Sequence, residues 1–241
     1  MSYLRYELLR TIRNRRVMVF SLGFPILLYL LIAGPNKDEA DLSGTGIPAA
    51  TYFMVGLLSF GAINAMLSSG ARIAAERTAG WNRQLRITPL SPRTYLRAKV
   101  VTGYAISALT IALLYAAGAA LGVHLRAGRG VEMTALVLCG LLPFAAIGIL
   151  LGHLVTADSA GPAVGGIGAL FAFLGGTWFP ITDGFLRHLG ELLPSYWIVQ
   201  AGRTGVGGPS WSGKGWAVVA VWTVVAAALA ARAYRRDTTR A

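Results

Sequence analysis

Apolar residues in this chain come in long unbroken runs divided by short polar connections, with neither the alternation of a strand nor the one-sided stripe of a soluble helix. Crossing about 30 Å of hydrocarbon at 1.5 Å per residue takes about 20 mostly apolar residues. Six runs approach that length: Val17–Gly34, Pro48–Ala71, Val100–Val123, Val131–Val155, Ala163–Ile181 and Gly215–Ala231. The pattern predicts an all-α integral membrane protein, a single transmembrane domain over residues 1–241 with six spans. Pro25 and Pro143 fall inside runs and predict kinks, since each removes a backbone hydrogen bond. The pairs Gly118/Gly122, Gly148/Gly152 and Gly161/Gly165 have the spacing that lets helix backbones approach, chiefly within one subunit. No small-residue cleavage site follows the first run, so it is expected to stay as the first helix.

Composition agrees and adds an orientation. The chain is 55% hydrophobic and 13% charged, against about 25% charged in ordinary soluble domains, and its mean hydropathy is +0.58. So few charges cannot coat a soluble globule of 241 residues. Yet the net charge is +12, and proteins that bind nucleic acid through such basicity are rarely this apolar. Sixteen Lys and Arg fall in the N-terminal segment, the second connection and the tail, against six in the other connections. The basic side is the expected cytoplasmic one, with both termini inside. Residues 1–16 read either as a plain positive anchor or as a helix lying on the membrane surface, with Leu4, Leu8 and Ile12 on its apolar side. Cys139 stands alone, which excludes an internal disulfide and a cysteine-built metal site.

Catalytic chemistry is sparse. His124, His153 and His188 sit at the edges of three different runs, without ligand spacing. Gly208-Pro-Ser-Trp-Ser-Gly213-Lys214 has the spacing of a phosphate-cradling loop, but Gly215 stands where Mg²⁺ needs Ser or Thr and no strand precedes it. Away from helix edges the runs hold no Asp, Glu, Lys or Arg, whereas ion-coupled pumps place ionisable groups there. Any transport is expected to draw its energy from a partner on the cytoplasmic side. Asn64, the most polar side chain well inside a run, reads as interhelical glue or as a substrate contact.

The second connection, Arg72 to Lys99, is the richest inner segment. Helix is expected through Glu76, a break at Gly80, a short helix over Trp81–Ile87 stopped by Thr88-Pro89, and a new helix capped by Ser91 with Pro92 at its first position. This elbow resembles the stretch between the second and third helices of type-2 ABC exporter membrane subunits, through Glu76, Arg77, Gly80, Leu85, Thr88, Pro89, Leu90 and Ser91. Trp81-Asn82-Arg83 departs from the Thr-Leu-Glu often found there. A second resemblance follows the fifth run, in Gly176-Thr177-Trp178-Phe179-Pro180, Leu192-Leu193-Pro194 and Trp197.

The resemblance implies the permease subunit of an ATP-driven exporter, paired with a second copy or close paralogue and with two cytoplasmic ATPase subunits that bind ATP and Mg. This chain would bind no cofactor or metal itself. The implied ATPase-coupling residues are Glu76, Arg77, Gly80, Arg83, Leu85, Thr88 and Pro89; because they lie outside the spans, their replacement is expected to spare folding. The implied outer gate holds Trp178, Phe179, Pro180, Leu189, Leu193 and Pro194. Phe185, Leu186, Leu189, Leu192 and Leu193 share one face of a helix of about nine residues, too short to span and so interfacial or re-entrant. A hydrophobic drug or antibiotic suits the apolar spans as cargo; a lipid-linked polysaccharide, an antimicrobial peptide, a stand-alone secondary transporter and a non-transporting scaffold are the alternatives.

The orientation has a direct check. With Cys139 replaced, cysteines at Thr45 and Ser212 should react with an impermeant thiol reagent in intact cells, and a cysteine at Thr239 should not. Labelling at 239 from outside reverses the topology.

Overall fold

The computed structural model describes residues 3–42, 45–80, 90–125, 127–181, 184–206 and 208–239, and no strand occurs among them. The helices are α1 (Tyr3–Ile12), α2 (Arg15–Met18), α3 (Phe24–Ala33), α4 (Ala49–Thr78), α5 (Pro92–Ala120), α6 (Ala127–Gly140), α7 (Leu142–Leu154), α8 (Ala157–Leu174), α9 (Phe185–Gly190), α10 (Pro194–Gly205) and α11 (Gly213–Thr239). Among the described residues, five segments are long and apolar enough to cross a membrane: α4, α5, α6 with α7, α8 and α11. The first run, expected to span over Val17–Gly34, is a shorter apolar helix over Ser21–Ala33.

α4 is the pillar of the bundle. Within its most apolar window 89% of residues are buried, against 22% in α8 and in α11, which therefore lie at the periphery. Helices α3, α5, α7, α8 and α10 all pack on it. Lipid tails are as apolar as leucine, so close backbone approach has to supply much of the attraction between helices. The α4–α7 crossing shows how: a Cβ on Gly70 would sit 2.2 Å from the carbonyl carbon of Gly148, and one on Gly152 would sit 2.5 Å from the Gly70 oxygen. Gly148/Gly152 is thus an internal packing pair. Gly161 and Gly165 have nothing within 4 Å of a built Cβ. Polar side chains add hydrogen bonds across α4 and α5, where Ser69 donates to the Lys99 carbonyl at 2.6 Å and Ser107 to the Ala62 carbonyl at 3.0 Å.

Regular α-helix is interrupted before both prolines, each time with a local remedy. Before Pro25 the chain widens into a π-turn over Val19–Gly23. Pro25 cannot donate to the Ser21 carbonyl, and that oxygen instead accepts from the Thr110 hydroxyl at 3.2 Å. Pro143 splits the fourth run at Leu141 into α6 and α7, and Tyr104 donates to the nearby Leu138 carbonyl at 3.1 Å. The fifth run is shifted: α8 starts at Ala157, where Thr156 and Ser159 form a capping box, and stops before Gly175. Asp158 lies in its first turn, suited to the helix dipole, while Thr156 supplies the cap. The expected nine-residue outer helix is only α9, of six residues, followed by a turn and the buried α10.

Gly70→Ala should force α4 and α7 apart, at a cost of about 1–3 kcal/mol for overpacking. Gly165→Ala meets open space and should be neutral or stabilising by up to about 1 kcal/mol. Thermal unfolding of the detergent-purified protein checks both; equal melting of G70A and wild type would remove the close crossing.

Candidate functional site

The basic end of the bundle is built on three helices, each presenting polar groups about one turn apart: Glu7 and Arg10 on α1, Arg72 and Glu76 on α4, Tyr95 and Lys99 on α5. Lys99 lies at the centre, its side chain 0% exposed. Its Nζ donates to Glu7 Oε1 at 2.7 Å and to Glu76 Oε1 at 2.6 Å. Arg10 donates to Glu76 Oε1 at 2.9 Å, and the Tyr95 hydroxyl donates to Glu76 Oε2. Arg72 Nη2 lies 3.2 Å from Glu7 Oε1. An ammonium this deeply buried is tolerable only with opposite charge and hydrogen bonds on it, and the two carboxylates supply both.

The next residue along α4 faces another way. Arg77 grips Asp237 of α11 with two nitrogens, each at 3.0 Å. Its third nitrogen donates to the Gly152 carbonyl at 3.2 Å and the His153 carbonyl at 2.8 Å, satisfying the last carbonyls of α7. His153 Nδ1 lies 2.7 Å from Asp237 Oδ2. Consecutive residues on a helix point about 100° apart, so Glu76 ties α4 to α1 and α5 while Arg77 ties it to α7 and α11. Three residues further on, Gly80 ends the helix at φ +71°, with its N–H donating to the Arg77 carbonyl at 3.0 Å.

Of the sequence-predicted coupling residues, Glu76 and Arg77 are therefore engaged inside the chain. The expectation that replacing them spares folding is corrected: Glu76 is 3% exposed and holds three partners. Gly80 terminates α4, while Arg83, Leu85, Thr88 and Pro89 lie outside the described residues. The elbow's short helix over 81–87 lies outside them too. The side of α1 expected to be apolar, Leu4, Leu8 and Ile12, needs a second correction. Tyr6, Leu9 and Ile12 are exposed, Leu4 and Leu8 are half-buried, and the buried positions are the polar Glu7 and Thr11. Sequence reasoning missed Glu7, Tyr95, Lys99, His153 and Asp237. The available signals were Glu7 as the sole acid before Asp38 and the four-residue spacing of Arg72/Glu76 and Tyr95/Lys99.

At the opposite end, the segment after α8 folds back onto α4. Gly176 has φ +78°, and its carbonyl accepts from the Tyr52 hydroxyl. A Cβ on Gly56 would meet the Thr177 oxygen at 2.5 Å, so only glycine allows this approach. Trp178 stacks near Phe60 at 5.6 Å, and Phe179 near Phe173 at 4.9 Å. Pro180 lines a cavity of about 20 Å³, room for about one water, together with Thr51, Tyr52, Tyr196 and Arg203. Leu189 and Leu193 are half-buried, Pro194 is buried at the start of α10, and Phe185, Leu186 and Leu192 are exposed. Three indole N–H groups fasten this end: Trp197 on the Glu191 carbonyl, Trp222 on that of Leu192 and Trp211 on that of Trp197. Asn64 donates to the Phe60 carbonyl of its own helix at 2.9 Å. Its amide fills the α8 contact so closely that a Cβ on Gly168 would come within 2.6 Å of it.

Long apolar helices with their ionised side chains gathered at the ends define a multi-pass membrane protein. Residues 40–232 match the family described as ABC-2 family transporter protein, and the chain belongs to that family. It is similar to the "Putative transport permease YvfS" of Bacillus subtilis (strain 168), with 26% identity over 219 residues and 85% of each chain covered. The chain is accordingly an ABC type-2 permease subunit, and the family implies an ABC ATPase partner.

The ionic knot should respond to pH. Burial raises the Glu7 pKa, but the charge and hydrogen bond of Lys99, then Arg72 and Arg10, outweigh it and hold the carboxyl below its ordinary 4.5. A depressed folded pKa gives stability that is complete above the unfolded value and lost as the pH falls through the folded one. Protection of the α1 amides against hydrogen exchange should therefore drop on acidification below about pH 4.5. Glu7→Gln should start less protected and lack the Glu7 contribution to that drop. Lys99→Met removes the ammonium shared by two buried carboxylates, leaving Glu7 with Arg72 and Glu76 with Arg10 and Tyr95, and should cost about 3–5 kcal/mol in unfolding. Wild-type melting of K99M would show that the knot is solvated.

Proposed function

We propose that this subunit is half of an exporter that carries a hydrophobic compound, such as a drug, an antibiotic or a lipid-like molecule, out of a bacterial cell through its plasma membrane. A second copy or a close paralogue completes the pathway. Two cytoplasmic ATPase subunits, which bind ATP and Mg, drive it. The excess of Lys and Arg at the α1, Glu76 and Asp237 end supports a cytoplasmic face there, with both termini inside. The absence of Asp, Glu, Lys and Arg from the middle of the apolar runs supports an uncharged cargo and an external energy source.

The observation that carries this reading is the end of α4. Through Glu76 and Arg77, one helix terminus is bonded to α1, α5, α7 and α11. Force applied just beyond Gly80 would reach most of the bundle through charge-assisted hydrogen bonds rather than through flexible loops. The segment holding Arg83, Leu85, Thr88 and Pro89 follows directly and is the proposed contact with the ATPase, with Glu76 and Arg77 passing the motion inward. At the far end, Trp178, Phe179, Pro180, Leu189, Leu193 and Pro194 form the proposed gate, and Asn64 packs the α4–α8 contact behind it.

Arg83→Ala combined with Leu85→Ala should weaken co-purification of the ATPase at least tenfold, since losing one member of a desolvated charge pair costs about 2–5 kcal/mol. It should also abolish substrate-stimulated hydrolysis in reconstituted vesicles while leaving thermal unfolding of the permease unchanged. Wild-type association and hydrolysis in this variant would move the coupling contact elsewhere.

A further inference from the structure

Beside the ionic knot, α11 packs on α7 and α5 packs on α4, and an open groove lies between α5 and α11. Its volume is about 780 Å³, within the range of small-molecule sites. The floor is Ala146 and Ile149 of α7, and the walls carry Leu96 of α5 with Ala227, Ala230 and Ala231 of α11. Alanine on the α11 wall is what keeps the groove wide. The rim holds Arg93, in the first turn of α5, and Arg235, in the last turns of α11. No acidic residue lines the groove among the described residues.

We propose that this groove binds an anionic phospholipid of the leaflet at the basic face, with its phosphate at Arg93 and Arg235 and its acyl chains along the alanine wall. Three features fit that occupant. The exposed sides of α11 are apolar, carrying Val221, Val224, Val225 and Leu229, so the helix that walls the groove borders hydrocarbon. From Arg235 to Ala227 the helix descends about 12 Å at 1.5 Å per residue, which places cations at headgroup depth and apolar walls at acyl depth. Basic pockets between transmembrane helices at the cytoplasmic side bind anionic headgroups by this complementarity. The Ser91 oxygen accepts from the Thr94 N–H at 3.2 Å, and Arg93 and Arg235 are the cations of the lining, with Tyr234 beside them. A lipid seated here would join α5, held by α4, to α11, held by α7. The site does not depend on the transport reading; only the choice of inner leaflet follows from the proposed orientation.

The test uses the full chain in detergent, with phosphatidylglycerol and phosphatidylcholine as probes. Native mass spectrometry should show phosphatidylglycerol retained at least tenfold better than phosphatidylcholine, and phosphatidylglycerol alone should raise the melting temperature. Arg93→Gln with Arg235→Gln should lose that preference while melting as wild type without lipid. Ala227→Leu, which narrows the groove and leaves the charges, should lose it too. Arg232→Gln, a change outside the groove, should keep it. Equal retention of both lipids, equal loss in R232Q, or retention unchanged in the double variant would each overturn the site. So would a double variant that loses ATPase association while its lipid preference stays intact, since the rim would then be a protein contact.

Discussion

A lysine with no exposure to solvent, held between two carboxylates, is the constraint on which the basic end of this permease depends. Lys99 sits between Glu7 and Glu76, 2.7 Å from one and 2.6 Å from the other. Replacing a whole buried ion cluster by well-packed apolar residues is often neutral, whereas removing one member is costly, so the knot is better understood as fixing an arrangement than as adding stability. What it fixes is the polar side of α1 against α4 and α5. The neighbouring Arg77 does the same for α7 and α11, and together they make the end of α4 the junction of the bundle.

Elsewhere the fold meets the demand that the membrane makes of every backbone group: with no water available, each freed carbonyl needs a protein donor. Thr110 serves the Ser21 carbonyl opposite Pro25, and Tyr52 serves that of Gly176 where the chain turns back after α8. These bonds join different segments, so the breaks in helical regularity also become the ties between segments. Glycine allows the remaining contacts, at Gly70 with Gly148 and at Gly56 with Thr177, where any side chain would meet backbone.

The two ends of the bundle are built differently. The basic end is cross-linked by ions. The other is fastened by tryptophan N–H groups on the turn after α9 and by aromatic contacts around Trp178 and Phe179, with a water-sized cavity among them. In the proposed cycle this contrast matters: the ionic end moves as one body, whereas ring contacts can slide at little electrostatic cost. The apolar groove with its cationic rim lies on the ionic side, where a bound lipid would add to the rigid part.

The sequence by itself determined the membrane class, the interruptions of regular helix at Pro25 and Pro143 and the basic end, because run length, missing N–H groups and charge asymmetry are local properties. It also indicated the family, through the residues around Glu76 and Gly176, which the match over residues 40–232 bears out. Only the tertiary structure decided that Glu76 is buried, that α1 turns its polar side inward and that Gly148/Gly152 packs on α4 while Gly161/Gly165 stays open. Each of these depends on what another helix brings to the same place. Glu7 and Lys99 are separated by 92 positions in sequence and 2.7 Å in space, and no periodicity within either segment encodes that meeting.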